Sequence, residues 1–169
     1  MIHTNRLTLV PLTLQQLETG LASIKQLSAE LNIPIVSDLF TGIAERAVGI
    51  KIEKMRAAPE PLHPWFTYWL IVIDKEGIGA GLVGFKGSPD VSGTVEIGYG
   101  INSIFQGRGY MTEAVRAMVE WAFSHLECEK ITAIGVLQDN FASRKVLVKN
   151  QFRELESDAD GVDYELERI

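Results

Sequence analysis

Polar and apolar residues alternate across residues 6–10, Arg-Leu-Thr-Leu-Val, and the run stops at Pro11, the period-two pattern of a first strand. Thr13 has the side chain of a helix N-cap, and behind it Leu14, Leu17, Leu21 and Ile24 fall on one face of a 3.6-residue period. That predicts a helix to about Leu31, stopped before Pro34. A second helical stripe, Leu39, Ile43, Ala47 and Ile50, begins near Ser37 and Asp38 and fades before Pro59, and residues 59–64 read as a loop.

The period then shortens. Residues 66–74 and 80–86 predict two strands joined by a turn at Glu76-Gly77, and Ser88-Pro89-Asp90 with Ser92-Gly93 marks the next turn. A third strand over residues 94–101 puts Val95, Ile97, Tyr99 and Ile101 on one face. Its other face carries Thr94, Glu96, Gly98 and Gly100, nearly bare of side chains apart from one carboxylate. Residues 109–126 carry the clearest helix, with Ala114, Val115, Met118, Val119, Ala122, Phe123 and Leu126 in a continuous stripe. Residues 131–137 predict a buried strand, and Asp139 or Asn140 caps a short helix reaching Asn150. Residues 152–156 and 162–168 close the chain as a hairpin turning at Asp160-Gly161. The order of elements predicts a mixed α/β fold, with antiparallel meanders and one crossover able to pair strands in parallel.

Composition narrows what such a fold does. With 46% apolar residues in 169, one domain over residues 1–169 has material for a sizeable core, and no repeat divides it. The single cysteine, Cys128, excludes an internal disulfide. His3, His63 and His125 stand far apart, without cysteine or paired carboxylates at ligand spacing, so no metal is expected. No basic stretch followed by an apolar run opens the chain. The longest apolar run, residues 69–73, is far short of the roughly 20 residues a membrane helix needs, so a cytoplasmic protein without a membrane partner is expected. A net charge of −6 argues against nucleic acid as partner and mildly favours a cationic ligand such as an amine, although ordinary solubility accounts for it as well. A monomer and a homodimer are both compatible with it.

Two glycine motifs compete for a phosphate. Gly79-Ala80-Gly81-Leu82-Val83-Gly84 matches the dinucleotide fingerprint G-x-G-x-x-G by letter, but that fingerprint works only when a helix opens on the third glycine. Phe85-Lys86-Gly87-Ser88-Pro89 follows instead and cannot start one. A glycine-rich strand in a hairpin accounts for the match. Gln106-Gly107-Arg108-Gly109-Tyr110-Met111 has the context the first lacks, a strand before it and a long amphipathic helix after it. Backbone amides in a glycine turn at a helix N-terminus make a concavity suited to phosphate oxygens, and Arg108 adds charge. It is not a Walker loop, since no Lys followed by Ser or Thr comes after the last glycine.

With its surroundings, this segment resembles the Gln/Arg-x-x-Gly-x-Gly/Ala signature of the GCN5-related N-acetyltransferase (GNAT) family, whose turn holds the pyrophosphate of acetyl-CoA. The longer string through Thr112-Glu113-Ala114, and Arg6-Leu7-Thr8-Leu9-Val10-Pro11-Leu12 near the start, are similar to the branch that acetylates N-termini of ribosomal proteins. Residues 140–152, Asn-Phe-Ala-Ser-Arg-Lys-Val-Leu-Val-Lys-Asn-Gln-Phe, resemble the family's Asn-x-x-Ser helix ending in Lys-x-Gly-Phe. Three departures stand out. Met111 replaces a glycine or alanine, Gln151 replaces the glycine before Phe152, and Leu147 occupies the place of the tyrosine that protonates departing CoA in many members.

The resemblance implies a central mixed, mostly antiparallel sheet of about six to seven strands flanked by about four helices. It implies transfer of an acetyl group from acetyl-CoA to a primary amine, of a protein N-terminus or a small molecule, by direct attack in a ternary complex. A non-catalytic CoA-binding regulatory module on the same fold is the alternative. Gln106, Gly107, Arg108, Gly109, Tyr110 and Met111 would hold the pyrophosphate. Tyr99, Gly100 and Ile101 would take the thioester on a strand whose bulge frees backbone amides, and Asn140 would bind the cofactor arm. Ser143 is the implied acid and Glu96 the candidate base. Each has a structural reading too: Asn140 is a natural N-cap with Ser143 at N3, Glu96 a sheet-surface carboxylate, and Glu113 compensates a helix dipole. Trp65, Tyr68 and Trp69 either wall the acceptor site or pack the core.

Overall fold

The computed structural model describes residues 1–158 and 161–168. Among them eight strands form one sheet: β1 (Ile2–His3), β2 (Leu7–Pro11), β3 (Trp69–Ile73), β4 (Ile78–Phe85), β5 (Thr94–Ile101), β6 (Lys130–Val136), β7 (Arg153–Asp158) and β8 (Gly161–Glu167), in the order β1-β2-β3-β4-β5-β6-β8-β7. Neighbours run antiparallel except β5 and β6, which pair in parallel at Thr94 with Lys130, Val95 with Ile131 and Glu96 with Thr132. The mixed, mostly antiparallel sheet is as expected, with one strand more: β1 is two residues long, too short to leave a periodic trace.

Six helices accompany the sheet among the described residues: α1 (Leu14–Ala22), α2 (Ile24–Leu31), α3 (Ile43–Ala57), α4 (His63–Phe66), α5 (Tyr110–Phe123) and α6 (Phe141–Lys149). The helix expected over residues 13–31 is two. Thr13 caps α1 with a capping box, but Ser23 leaves the helix in an extended conformation and its Oγ accepts from Gln26 N–H at 3.3 Å, starting α2 afresh. The helix expected from Ser37 begins only at Ile43, after Gly42 at φ +61°. Residues 59–64, read as a loop, include part of the short α4, which Pro64 can open because an N-terminal position needs no N–H donor. Asp160 of the expected hairpin turn lies outside the described residues.

The sheet separates two cores. On one side Leu7, Leu9, Ile71, Val83, Phe85, Val95, Ile97 and Ile131 pack against Ala114, Val115 and Met118 of α5 and Leu147 of α6. On the other, Leu70, Val72 and Leu82 meet Leu17, Leu27, Val48, Ile52 and Met55 from α1, α2 and α3. Val95 and Ile97 of β5 thus face α5, and Thr94, Glu96, Gly98 and Gly100 alternate onto the opposite side.

The false fingerprint in β4 has a packing cause. A Cβ on Gly84 would lie 2.5 Å from the Thr67 carbonyl oxygen, and one on Gly81 would lie 2.7 Å from the Gly100 carbonyl oxygen. These glycines let neighbouring backbones approach. At the end of α6, Gln151 keeps the geometry of the glycine it replaces: it stands at φ +65°, with its N–H on Val148 O at 3.0 Å and Phe152 N–H on Leu147 O at 3.1 Å, a Schellman ending.

One buried charge ties α3 to the sheet. Lys51 is 5% exposed; its Nζ donates to the Phe66 carbonyl at 3.2 Å and to the Phe85 carbonyl, and it lies 4.4 Å from the centre of the Tyr68 ring. No carboxylate pairs with it among the described residues. Burial, reinforced by the charges of Lys54 and Lys86, pulls its pKa down to about 7. The unfolded chain therefore holds an extra proton between about pH 7 and 10.5. The stability gained from this shift is full above 10.5 and lost as the pH falls toward 7. Wild-type stability relative to Lys51→Met is expected to rise across this window with a slope approaching about 1.4 kcal/mol per pH unit. Urea unfolding of both proteins at several pH values measures it, and parallel pH profiles would contradict it.

Candidate functional site

β5 and β6 part where their pairing ends at Glu96 and Thr132. Toward β4 the register of β5 is regular from Ile97 opposite Phe85 to Ile101 opposite Gly81, without a shift. The expected bulge is therefore absent from this pairing, and the strand opens instead where β5 and β6 part. Beyond Glu96 the β6 side of β5 loses its partner, leaving backbone groups of its last turns of pleat facing a gap.

That gap opens into a cavity of about 310 Å³. Tyr99, Gly100 and Ile101 line it from the strand; Gln106, Gly107, Gly109, Tyr110 and Met111 from the glycine turn and the start of α5; Asn140 and Ser143 from α6. Gly107 and Gly109 both adopt left-handed φ, +75° and +82°, which turns successive amides the same way. The first bond of α5 runs from Glu113 N–H to Gly109 O at 3.1 Å, and the N–H groups from Gly107 to Thr112 have no backbone partner among the described residues. Open amides at the positive end of a 14-residue helix are an anion site in form.

The N-terminal strands brace this turn. Arg6 Nη1 donates to the Arg108 carbonyl at 3.0 Å, Arg6 Nε to Glu113 Oε2 at 2.7 Å, and Arg6 N–H and Thr4 Oγ1 to Glu113 Oε1 at 2.8 and 2.6 Å. Burial pushes the Glu113 carboxyl up, but the hydrogen bonds from Thr4 and Arg6 outweigh it and hold the group below its ordinary value. Glu113 thus fastens the turn to β2 in addition to facing the helix dipole.

Arg108 departs from the expected arrangement. It is not among the residues lining the cavity, and its guanidinium rests 5.6 Å from the centre of the Phe105 ring. The cavity's cations are instead Lys145 and Lys149, exposed on α6 and without an ion pair among the described residues. Their i, i+4 spacing puts them on one helical face with Ala142, a signal legible once Asn140 is taken as the cap. Asn140 Oδ1 does accept from Ser143 N–H at 3.1 Å, so it is the N-cap, while its amide nitrogen has no partner among the described residues.

Ser143 has a partner that the residue pattern did not reveal. The Tyr99 phenol oxygen lies 2.9 Å from Ser143 Oγ and donates to the Ser143 carbonyl at 3.3 Å, bridging the open ends of β5 and α6. Burial pushes the Tyr99 phenol up to about 12. Leu147, in the place of the family's tyrosine, is fully buried in the core and touches no open space.

A second cavity of about 360 Å³ lies on the α3 side of the same strand end and shares Tyr99, Gly100 and Ile101 with the first. Ile43, Ala44 and Ala47 of α3 face Tyr68 and Leu82 across it, and Asp38, bonded to Asn102 Nδ2 at 2.8 Å, is the one charged residue in its wall. A Cβ on Gly100 would meet nothing within 4 Å. Of the three aromatics considered for an acceptor wall, only Tyr68 lines this space; Trp65 and Trp69 lie in the core. Glu96 lines neither cavity. It shares a face with Gly98 and Gly100 but stands roughly 13 Å along the strand from Gly100, and its carboxylate is ion-paired with Lys86, just past the end of β4.

The sequence model of the acetyltransferase (GNAT) domain family matches residues 6–153. The chain belongs to this family. Over 87 residues it is 37% identical to the uncharacterized N-acetyltransferase YjdG of Bacillus subtilis, a match covering 52% of this chain and only about half, 51%, of that relative's length. The GNAT fold is shared with ribosomal-protein-S5-alanine acetyltransferase from Vibrio fischeri, 17% identical, with a TM-score of 0.62 over 98% of this chain and 95% of that one. It is shared too with Mycobacterium smegmatis RimJ in complex with CoA-disulfide, 18% identical, TM-score 0.62, over 95% and 81% of the two chains. Among the described residues this GNAT domain has no helix long and apolar enough to cross a membrane and no group of three or more His, Cys, Asp or Glu that could hold a metal ion.

Proposed function

We propose that the protein transfers the acetyl group of acetyl-CoA to a primary amine by direct attack in a ternary complex. The observation that carries this reading is the meeting of two cavities at Tyr99, Gly100 and Ile101, one furnished for phosphates and the other for an acceptor. The open amides of residues 107–112 and the ammonium groups of Lys145 and Lys149 suit a pyrophosphate and a further phosphate. Ile101, Phe105, Met111 and Val146 suit the pantetheine arm, and the Asn140 amide nitrogen can donate to it. The acceptor amine would enter from the α3 side, drawn by Asp38, and meet the thioester past the bare face of Gly100. Glu96, held by Lys86, does not serve as base; the proton of the amine leaves through water in the second cavity.

The family resemblance supports a protein N-terminus or a small amine as acceptor, in the cytoplasm. Release of CoA thiol from acetyl-CoA across a panel of N-terminal peptides and small amines tests the reading. Amine-dependent release is expected. The rival, a CoA-binding module without chemistry, is favoured by the Glu96–Lys86 pair and by leucine at position 147, and binding without release for any amine would establish it.

Gly100→Val should separate the two cavities. Its side chain would enter the acceptor space, so KM for the amine is expected to rise about tenfold or more, by loss of roughly 1.4 kcal/mol of binding, while CoA affinity stays nearly constant. An equal loss for both ligands would contradict the assignment.

The transfer needs no covalent acetyl-enzyme. Cys128 is fully buried beyond the far end of α5, where burial pushes its thiol up to about 11. Cys128→Ala is expected to leave turnover unchanged, and its loss would reinstate a thiol intermediate.

A further inference from the structure

Attack of an amine on a thioester ends in departure of a thiolate, and with leucine at 147 the one hydroxyl carried by α6 is that of Ser143. The hydroxyl of Ser143 is poorly suited to do so alone. Its backbone N–H is already the one capped by Asn140, and its Oγ is 2.9 Å from a stronger hydroxyl donor, the Tyr99 phenol. Tyr99 belongs to the stretch of β5 that lines both cavities, so its ring stands at the boundary where the amine and the thioester must meet.

We propose that the Tyr99 phenol, not the Ser143 hydroxyl, donates the hydrogen bond that stabilises the departing thiolate; this rests on the acetyl-CoA reading given above. Ser143 is then a positioning residue. Its Oγ–H donates to the phenol oxygen, which leaves the phenol O–H to turn from the Ser143 carbonyl, a bond of 3.3 Å, toward the sulfur. The amine nitrogen forms a bond to the acetyl carbon and the carbon–sulfur bond breaks with its electron pair on sulfur. Negative charge grows on sulfur against the phenol O–H, the nitrogen loses a proton to water, and the thiolate takes one from water. Atoms and charge balance as amine plus acetyl-CoA giving amide plus CoA thiol. The phenol stays protonated throughout, in keeping with the burial that raises its pKa to about 12, so its effect is that of a preorganised donor.

The competing explanation is that the Tyr99–Ser143 contact only ties β5 to α6. A titration of the thiol of bound CoA distinguishes the two, because a purely structural tie does not act on sulfur. In wild type the bound thiol is expected to ionise about one pH unit below its value in Tyr99→Phe, with a smaller difference for Ser143→Ala, as for a hydrogen bond to a charged acceptor. In turnover, Tyr99→Phe is expected to lower kcat roughly ten- to a hundredfold with KM for acetyl-CoA within about twofold. An unchanged thiol titration in Tyr99→Phe overturns the inference and leaves the acetyl-CoA reading standing. A larger shift for Ser143→Ala than for Tyr99→Phe overturns it in favour of the serine. Failure of wild type to bind CoA overturns both.

Discussion

Gly109→Val is expected to weaken CoA binding by about a hundredfold while leaving the fold intact, the largest effect of any single change at the site. Gly109 stands at φ +82°, where a β-branched residue is strained, and a Cβ there would lie 3.3 Å from Arg6 Nη2. Holding valine in that conformation costs on the order of 1–3 kcal/mol. If the chain relaxes instead, the amides of Tyr110 and Met111 rotate away from the cavity and Arg6 loses its hold on the Arg108 carbonyl. In the relaxed chain the phosphate loses aligned donors, and about 2.8 kcal/mol is a hundredfold in Kd. Calorimetric titration of CoA, with circular dichroism to show the fold, measures it. A dissociation constant within twofold of wild type would remove the turn from the binding site.

The second large effect concerns the motif that mimics a dinucleotide site. Gly84→Val is expected to destabilise the protein by about 3 kcal/mol, because the added Cβ would sit 2.5 Å from the Thr67 carbonyl, a backbone atom that no side-chain rotation can move. For a chain of this length that lowers Tm by roughly 6–12 °C. NAD(H) should raise the melting temperature of neither protein, since β4 runs into a turn and no helix offers its N-terminus to the third glycine. A normal Tm in the variant, or stabilisation of wild type by NAD(H), would reverse the assignment of these glycines to packing.

Much of the fold was legible because its elements carry strong local signals. Residues 94–101 are bounded as a strand where alternation and flanking turns place one, and the stripe from Ala114 to Ala122 reads as the helix it forms. Boundaries were lost where one residue interrupts a continuing pattern. Ser23 interrupts a stripe that runs on through Leu27, and Gly42 delays α3 past apolar residues that belong to the same face. The family resemblance named the glycine turn, and nine of the ten positions expected to bind cofactor line one cavity; the guanidinium of the tenth, Arg108, rests over Phe105 while its carbonyl accepts from Arg6.

The rest depended on pairs distant in sequence. Tyr99 meets Ser143 across 44 positions, Arg6 meets Glu113 across 107, and Lys51 reaches the Phe85 carbonyl across 34. None of these leaves a periodic trace. Glu96 illustrates the converse: alternation placed it correctly on the glycine face, but only the neighbouring strand shows that Lys86 already holds its carboxylate.

The central claim is that the cavity between the ends of β5 and α6 holds CoA with its phosphates on the glycine turn. A calorimetric titration of CoA into wild type and Gly109→Val tests it most directly. Saturable one-to-one binding to wild type, weakened about a hundredfold in the variant, is the predicted result; no binding to wild type, or equal binding to both, would contradict it.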